Sequence, residues 1–155
     1  MNYSELVEKG IAEERSPNLK EVRSLQDRGM EELTIAKNIL NSDRGWAYAI
    51  SFYAMLRTAK VLILAEGLMP KERDETKNII IIAEAILGKD FKSLLNKLDR
   101  MRRRTENFVK DYNKPITKYE SQQALTDAEG FINRMNDIIR ERHSQLLLNI
   151  SASSQ

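Results

Sequence analysis

"WAYAISFYAMLRTAKVLILA", Trp46 to Ala65, is the longest apolar stretch of the chain. Read as a helix, it carries apolar residues that point in too many directions to face one neighbour: Ala49, Ile50, Phe52, Tyr53, Leu56, Val61 and Leu64. A helix that is apolar all round is buried on all sides. The stretch therefore predicts a central helix over about residues 46–66, enclosed by other helices and by a second subunit.

The same stretch has about the length of a membrane span. Two charged residues, Arg57 and Lys60, interrupt it, together with Ser51 and Thr58. The buried helix of a soluble protein is therefore the better interpretation. The opening residues "MNYSELVEKG" contain two glutamates and no apolar core, so they do not read as a secretory signal. We expect a cytoplasmic protein that does not contact a membrane.

Composition supports one soluble helical domain. The chain has 155 residues, of which 31% are charged and 41% apolar, and it contains only 6 Gly and 3 Pro. It has no Cys, which excludes disulfides, thiolate nucleophiles and Cys-ligated zinc and fits a reducing compartment. A net charge of +2 is too small for nucleic-acid binding by the whole surface, so any such binding needs a local patch.

Working outward from the central helix, we predict six helical segments and no strand. "NIIIIAEAILG" is ambiguous, because four isoleucines favour a strand. Its apolar residues nevertheless share one helical face, so we interpret it as a helix. The predicted segments are about 3–14, 17–41, 46–66, 78–88, 91–112 and a last helix from 117. Short connections make this an all-α antiparallel bundle of five to six helices.

Residues 1–16 are predicted to form a short N-terminal helix, 17–148 the bundle, and 149–155 a disordered polar tail. Local signals set the expected helix ends. They are Ser16 as N-cap before Pro17, Gly45 in a left-handed turn, Gly67 closing the central helix before a "GLMPKERDE" loop, Gly88 and Asp90 as stop and cap, and a Thr117–Glu120 capping box.

Several catalytic chemistries are missing. His143 is the only histidine, and the residue three positions before it is Arg140, so the Glu-x-x-His pairs of di-iron bundles are absent. The chain has no glycine-rich nucleotide-binding motif. A Ser-His-Asp triad would have to use His143, near a helix end that looks solvated. We predict no metal site, no cofactor and no catalytic residue.

An arginine cluster remains as the main candidate site. In "RMRRRTENFVKDY", residues 100–112, Arg102 lies on one margin of the apolar stripe and Arg104 on the other. Arg100 and Arg103 point away from the stripe, at ~100° per residue. The cluster either forms surface ion pairs, to Asp99, Glu106 or other helices, or contacts phosphate through its guanidinium groups.

Polar residues of the central helix form a second candidate. Tyr53, Arg57 and Lys60 fall on one stripe of an otherwise apolar helix. A buried cation is costly unless it is paired. Either Arg57 pairs with a core-facing carboxylate such as Glu84 or Glu106 while Lys60 extends outward, or both cations line a cleft.

Four segments in their order resemble the HEPN family, the small helical-bundle domains of prokaryotes. They are "FYAM" at 52–55, "GLMPK" at 67–71, "LDRMRRRTENFVKDY" at 98–112 and "ITKYESQQALTDAEGFI" at 116–132. The resemblance covers about residues 20–140. It implies an antiparallel helical bundle that forms a homodimer. Many HEPN proteins are metal-independent ribonucleases, often toxins paired with a nucleotidyltransferase-fold protein.

The ribonuclease motif of that family is an arginine, four to six residues, then a histidine at the dimer cleft. Counting from Arg103 or Arg102 places Phe108 at the histidine position. The pair Asn107–Phe108 is similar to the ending of a family branch that lacks the histidine. Metal-free RNA cleavage needs groups that accept and donate protons, and phenylalanine does neither. Loss of one such group typically lowers the rate by about 10²–10⁴.

The expected function is a non-catalytic, dimeric HEPN-like module that binds a nucleotide, RNA or a protein such as a nucleotidyltransferase-fold partner in a toxin–antitoxin pair. The expected binding residues are Arg102, Arg103, Arg104, Asn107, Tyr53 and Arg57. One alternative is a ribonuclease that has recruited Tyr112 or His143. A second is a structural subunit whose arginines only form salt bridges.

Overall fold

The structure, a computed structural model, describes residues 1–111 and 114–144. Within them the fold is six α-helices, a 3-10 turn and two short strands. Their bounds are α1 Tyr3–Glu8, β1 Ala12–Glu14, α2 Leu19–Ile39, α3 Arg44–Ala65, β2 Leu68–Pro70, α4 Glu75–Leu87, the 3-10 turn Lys89–Phe91, α5 Lys92–Lys110 and α6 Lys118–Arg142. The all-α helical bundle is confirmed.

Helix α3 is the centre of the bundle, as its composition predicts. It packs against α2, α4, α5 and α6. By length and composition it could cross a membrane, but 72% of its most apolar window is buried inside the fold. The central helix of a soluble protein has the same character, so its burial is consistent with the soluble interpretation.

Two short strands correct the prediction that the chain contains none. β1 and β2 pair in antiparallel fashion, with Ala12 opposite Pro70 and Glu14 opposite Leu68. The segment predicted as helix over 3–14 therefore ends as strand, and the predicted loop after Gly67 begins as strand. Ala12 of β1 and Leu68 of β2 are both buried. Strands of three residues are too short for a periodic signal, so only their pairing reveals them.

Three predicted helix ends are confirmed. Thr117 forms the capping box with Glu120, each side chain bonding the other residue's backbone N–H. Gly67 follows α3 with φ +84°, and Gly88 follows α4 with φ +85°. Both values lie in the region that glycine adopts without steric cost.

Three other predicted helix boundaries, two starts and one end, are wrong. Asn18 caps α2 in place of Ser16, accepting from the N–H of Glu21 at 3.0 Å, so Pro17 precedes the helix. Asp43 caps α3 by accepting from the N–H of Trp46 at 3.0 Å, which places Gly45 inside the first turn. Asp90 lies in the 3-10 turn and makes no cap for α5. Asn and Asp cap as well as Ser, so neighbouring candidates compete and the local backbone decides between them.

The isoleucine-rich segment is helical, as predicted, and α4 buries Ile79, Ile82 and Ala83. Helix α6 buries the predicted stripe of seven residues: Ala124, Ala128, Phe131, Ile132, Met135, Ile138 and Ile139. The predicted tail, 149–155, lies outside the described residues.

Candidate functional site

Arg102 and Arg103 share an acidic neighbour on α5. The Nε of Arg102 donates to Asp99 at 2.9 Å, and its Nη1 donates to Glu106 at 3.2 Å. The side chain of Arg102 is only 12% exposed. Arg103 lies 3.6 Å from Asp99 with a side chain that is 60% exposed. Burial lowers the pKa of Arg102, but hydrogen bonds and charge from Asp99 and Glu106 outweigh it and raise the pKa.

Arg104 joins α5 to the beginning of α6. Its Nε and Nη2 donate to the two carboxylate oxygens of Glu120, at 2.8 and 3.2 Å. Its Nη1 and Nη2 also donate to the carbonyls of Lys114 and Pro115, at 3.1 and 3.0 Å. The hydrogen bond from Arg104 is the main reason that the pKa of Glu120 lies below its ordinary value. Since Glu120 also completes the cap of α6, Arg104 fixes Lys114, Pro115 and the beginning of α6 against α5.

Phe108, at the position that the family resemblance assigns to histidine, packs on the beginning of α3. Its ring is so close to Gly45 that a Cβ there would overlap it. The rings of Phe108 and Trp46 pack edge to face, with their centroids 5.6 Å apart and their planes at 83°. Such edge-to-face pairs are typical of packed aromatic residues. The position therefore has an apolar packing role.

His143 lies at the opposite end of the bundle. Its Nε2 is 3.4 Å from the Oε1 of Glu66, which follows the last residue of α3, and this nitrogen forms no hydrogen bond with any residue that the structure describes. Phe108 packs at the other end of α3, and Gly45 and Glu66 lie 21 positions apart in the sequence, a helical rise of about 30 Å. Within one chain His143 cannot serve the arginine cluster. Tyr112, the other recruited residue of the ribonuclease alternative, lies outside the described residues.

Arg57 is paired, as one of the two interpretations expects, but the partner is different. It donates to both carboxylate oxygens of Glu32 on α2, whereas Glu84 and Glu106 were predicted. Lys60 extends to Glu75 on α4 at 2.6 Å. Glu32 is the acidic residue missed from the sequence. It adjoins Leu33 among the buried residues of α2, and a glutamate beside an apolar stripe is the signal that could have identified it.

The six predicted binding residues therefore belong to separate groups. Arg102 and Arg103 share Asp99, while Arg104 and Arg57 bind partners on α6 and α2. Asn107 is exposed, and its backbone carbonyl accepts from the N–H of Asp111. In residues 1–111 and 114–144, no three metal-ligating side chains lie together.

The outer side of α5 carries a basic stripe. Its members are spaced three or four positions apart and so share one helix face: Lys92, Asn96, Arg100, Arg103, Asn107 and Lys110. All six are exposed. Arg100 forms no salt bridge with any residue that the structure describes, and within those residues Arg103 makes only the long contact to Asp99.

Several apolar side chains are exposed where α2 lies beside α3. One face of α3 carries residues spaced three or four positions apart: Trp46, Ile50, Tyr53 and Arg57. One face of α2 likewise carries Glu32, Ile35 and Ile39. The ion pair between Glu32 and Arg57 places these two faces side by side. We call this surface the aromatic face. Three of its apolar side chains are well exposed, namely Trp46 at 48%, Tyr53 at 44% and Ile35 at 37%.

Comparisons of the chain with protein-family models, curated proteins and solved structures give no match.

Proposed function

We propose that this chain is a non-catalytic, HEPN-like helical module whose task is to bind another protein chain, beginning with a second copy of itself. The observation that carries the proposal is the aromatic face. Contiguous exposed apolar surface on a soluble protein marks an interaction site, and Trp and Tyr are the residues that dominate such sites. We place the module in the cytoplasm.

A second copy is the occupant that the charges favour. Glu32 and Arg57, the charged pair on the aromatic face, neutralise each other, so two identical faces do not repel. A two-fold dimer requires a patch that is complementary to itself, and an uncharged apolar patch meets that requirement. A nucleotidyltransferase-fold protein is the further partner that the family resemblance suggests.

The same proposal denies ribonuclease activity. Phe108 cannot exchange protons, and Arg102 and Arg104 are each held by carboxylates of the same chain. A phosphate would have to displace these carboxylates. His143, the chain's one imidazole, stands about 30 Å away at the other end of α3.

Light scattering of the purified chain at micromolar concentration tests the dimer. We expect a dimer that Ile35→Glu or Tyr53→Glu converts to a monomer with an unchanged helical circular-dichroism spectrum. Met30→Glu is the matched control, because Met30 is an exposed apolar residue of α2 outside the aromatic face. A monomeric wild type, or equal disruption by Met30→Glu, would contradict the proposal.

Incubation with RNA in EDTA tests the catalytic part. We expect no cleavage by the wild-type chain above that of a preparation carrying Arg103→Ala. Metal-free cleavage that disappears in the Arg103→Ala variant would restore the ribonuclease alternative.

A second candidate function is RNA binding by the basic stripe of α5. The observation that favours it is the row of exposed cations, in particular Arg100 and Arg103. Phosphate contacts make affinity fall steeply with salt. If the stripe binds RNA, Arg103→Gln and Lys110→Gln will each weaken binding and flatten the salt dependence. Absence of binding at low salt leaves protein binding as the only candidate.

A further inference from the structure

A cleft between α5 and α6 is lined by a tyrosine of α3. The floor is Tyr48 of α3, which is 8% exposed and whose hydroxyl makes no hydrogen bond with any described residue. The cleft has a volume of about 190 Å³. Because this hydroxyl is open to the cleft and bonded to none of the described residues, a molecule in the cleft can accept its hydrogen bond.

The carboxylates around this cleft are already neutralised. Glu120 is held by Arg104, and Asp127 accepts from Lys97 at 3.2 Å and from Gln123 at 3.0 Å. Arg100 also lines the cleft and forms no salt bridge with any residue of the described ranges. The cleft therefore has one uncompensated positive charge, which suits a ligand with one negative charge.

The hydroxyl of Tyr48 stays protonated at neutral pH. Burial, and after it the charge of Glu120, raises the pKa of Tyr48 to about 12. A protonated phenol donates a hydrogen bond. The charge of Arg100 acts on the same hydroxyl and lowers the pKa of Tyr48, against the larger effects. Arg100 and Tyr48 line the same cleft, so one small molecule can reach both groups.

The remaining walls suit a flat ring. Met101 and Ala124 give apolar surface beside the ring of Tyr48, and Tyr119 stands at the cleft with 74% of its surface exposed. An apolar cavity of about 150 Å³ holds a benzene molecule. A cleft of about 190 Å³ therefore has room for one six-membered ring with a small charged substituent.

We propose that this cleft binds a single-ring aromatic monoanion. Its carboxylate lies on the guanidinium of Arg100, and an acceptor oxygen at the other end of the ring takes the hydrogen bond of Tyr48. The cleft is on the α6 side of α5, away from Arg102 and from the aromatic face. The inference therefore does not depend on whether the chain dimerises. Arg100 also belongs to the basic stripe of α5, so RNA bound to that stripe would compete with the monoanion.

Calorimetry and ligand-observed NMR on the full chain test it, with 4-hydroxybenzoate as the probe. Phenol is the control that keeps the ring without the charge, and inorganic phosphate is the control that keeps the charge without the ring. Arg100→Gln removes the guanidinium and Tyr48→Phe removes only the hydroxyl. Arg140→Gln is the matched control, because Arg140 is an exposed arginine of α6 that pairs with Asp137.

We expect 4-hydroxybenzoate to bind the wild type and Arg140→Gln equally. Arg100→Gln should weaken binding about tenfold or more and Tyr48→Phe about threefold to tenfold, as expected for a charged and a neutral hydrogen bond. Phenol and phosphate should each bind at least tenfold more weakly than the probe. No binding at millimolar probe, unchanged affinity in Arg100→Gln, or phosphate binding as tightly as the probe would overturn the proposal.

Discussion

Removal of Arg57 should destabilise the chain far more than removal of its partner's charge. Glu32 on α2 accepts from the Nε and Nη2 of Arg57 on α3. The side chain of Glu32 is 10% exposed, whereas that of Arg57 is 35% exposed. Arg57→Met therefore leaves a carboxylate buried without a counter-charge. Glu32→Gln leaves a guanidinium that can turn toward water.

The burial of the two groups sets the magnitude. Breaking a fully buried pair by removing one partner costs about 3–5 kcal/mol. Arg57 is about a third exposed, and solvent screening reduces the expected loss for Arg57→Met to about 2 kcal/mol. For a domain of this length that is a fall in Tm of about 4–8 °C. Glu32→Gln should cost about 1 kcal/mol or less.

Urea unfolding of the single variants and of the double variant measures these differences. The double variant should lose less free energy of unfolding than the sum of the single losses, because the two residues interact directly. Arg28→Met is the control, since Arg28 pairs with Glu31 on the exposed side of α2 and should change stability by less than about 0.5 kcal/mol. Equal costs for both single variants, or strict additivity, would refute the reasoning.

Three further changes have definite expected outcomes. Thr117→Ala removes the cap of α6 and should lower the free energy of unfolding by about 1 kcal/mol, measured by urea unfolding against Thr126→Ala in mid-helix. Gly45→Ala should displace the ring of Phe108 and change tryptophan fluorescence, and an unchanged spectrum would contradict the close packing. Burial raises the pKa of Glu66, but the hydrogen bonds from Arg142 and Tyr3 outweigh burial and lower that pKa from its ordinary value of 4.5. The stabilisation from ionised Glu66 is therefore complete above pH 4.5 and is lost as the pH falls through the lowered pKa. The stability difference between wild type and Glu66→Gln should therefore shrink in acid, and a difference that grows would refute the assignment of the groups facing Glu66, which are Tyr3, Arg142 and His143.

The candidate site was only partly readable from the sequence. Helical spacing correctly placed Arg102 and Arg104 on the margins of the α5 stripe and Arg103 outside it. The position of Arg57 in an apolar helix also predicted that a carboxylate pairs with it. It did not identify Glu32, because the partner depends on which face of α2 meets α3. Tyr48, an aromatic residue in an apolar helix, gave no sign that its hydroxyl would face a cleft.

Sequence by itself determined the helices, the central place of α3 and the ends set by Gly67, Gly88 and Thr117. These features depend on interactions within a few residues, so periodicity and capping chemistry report them directly. Tertiary structure alone decided the pairing of β1 with β2, the partner of Arg57 and the cleft over Tyr48. Each joins segments far apart in the chain, and their meeting depends on the relative rotation of packed helices, which no local pattern encodes.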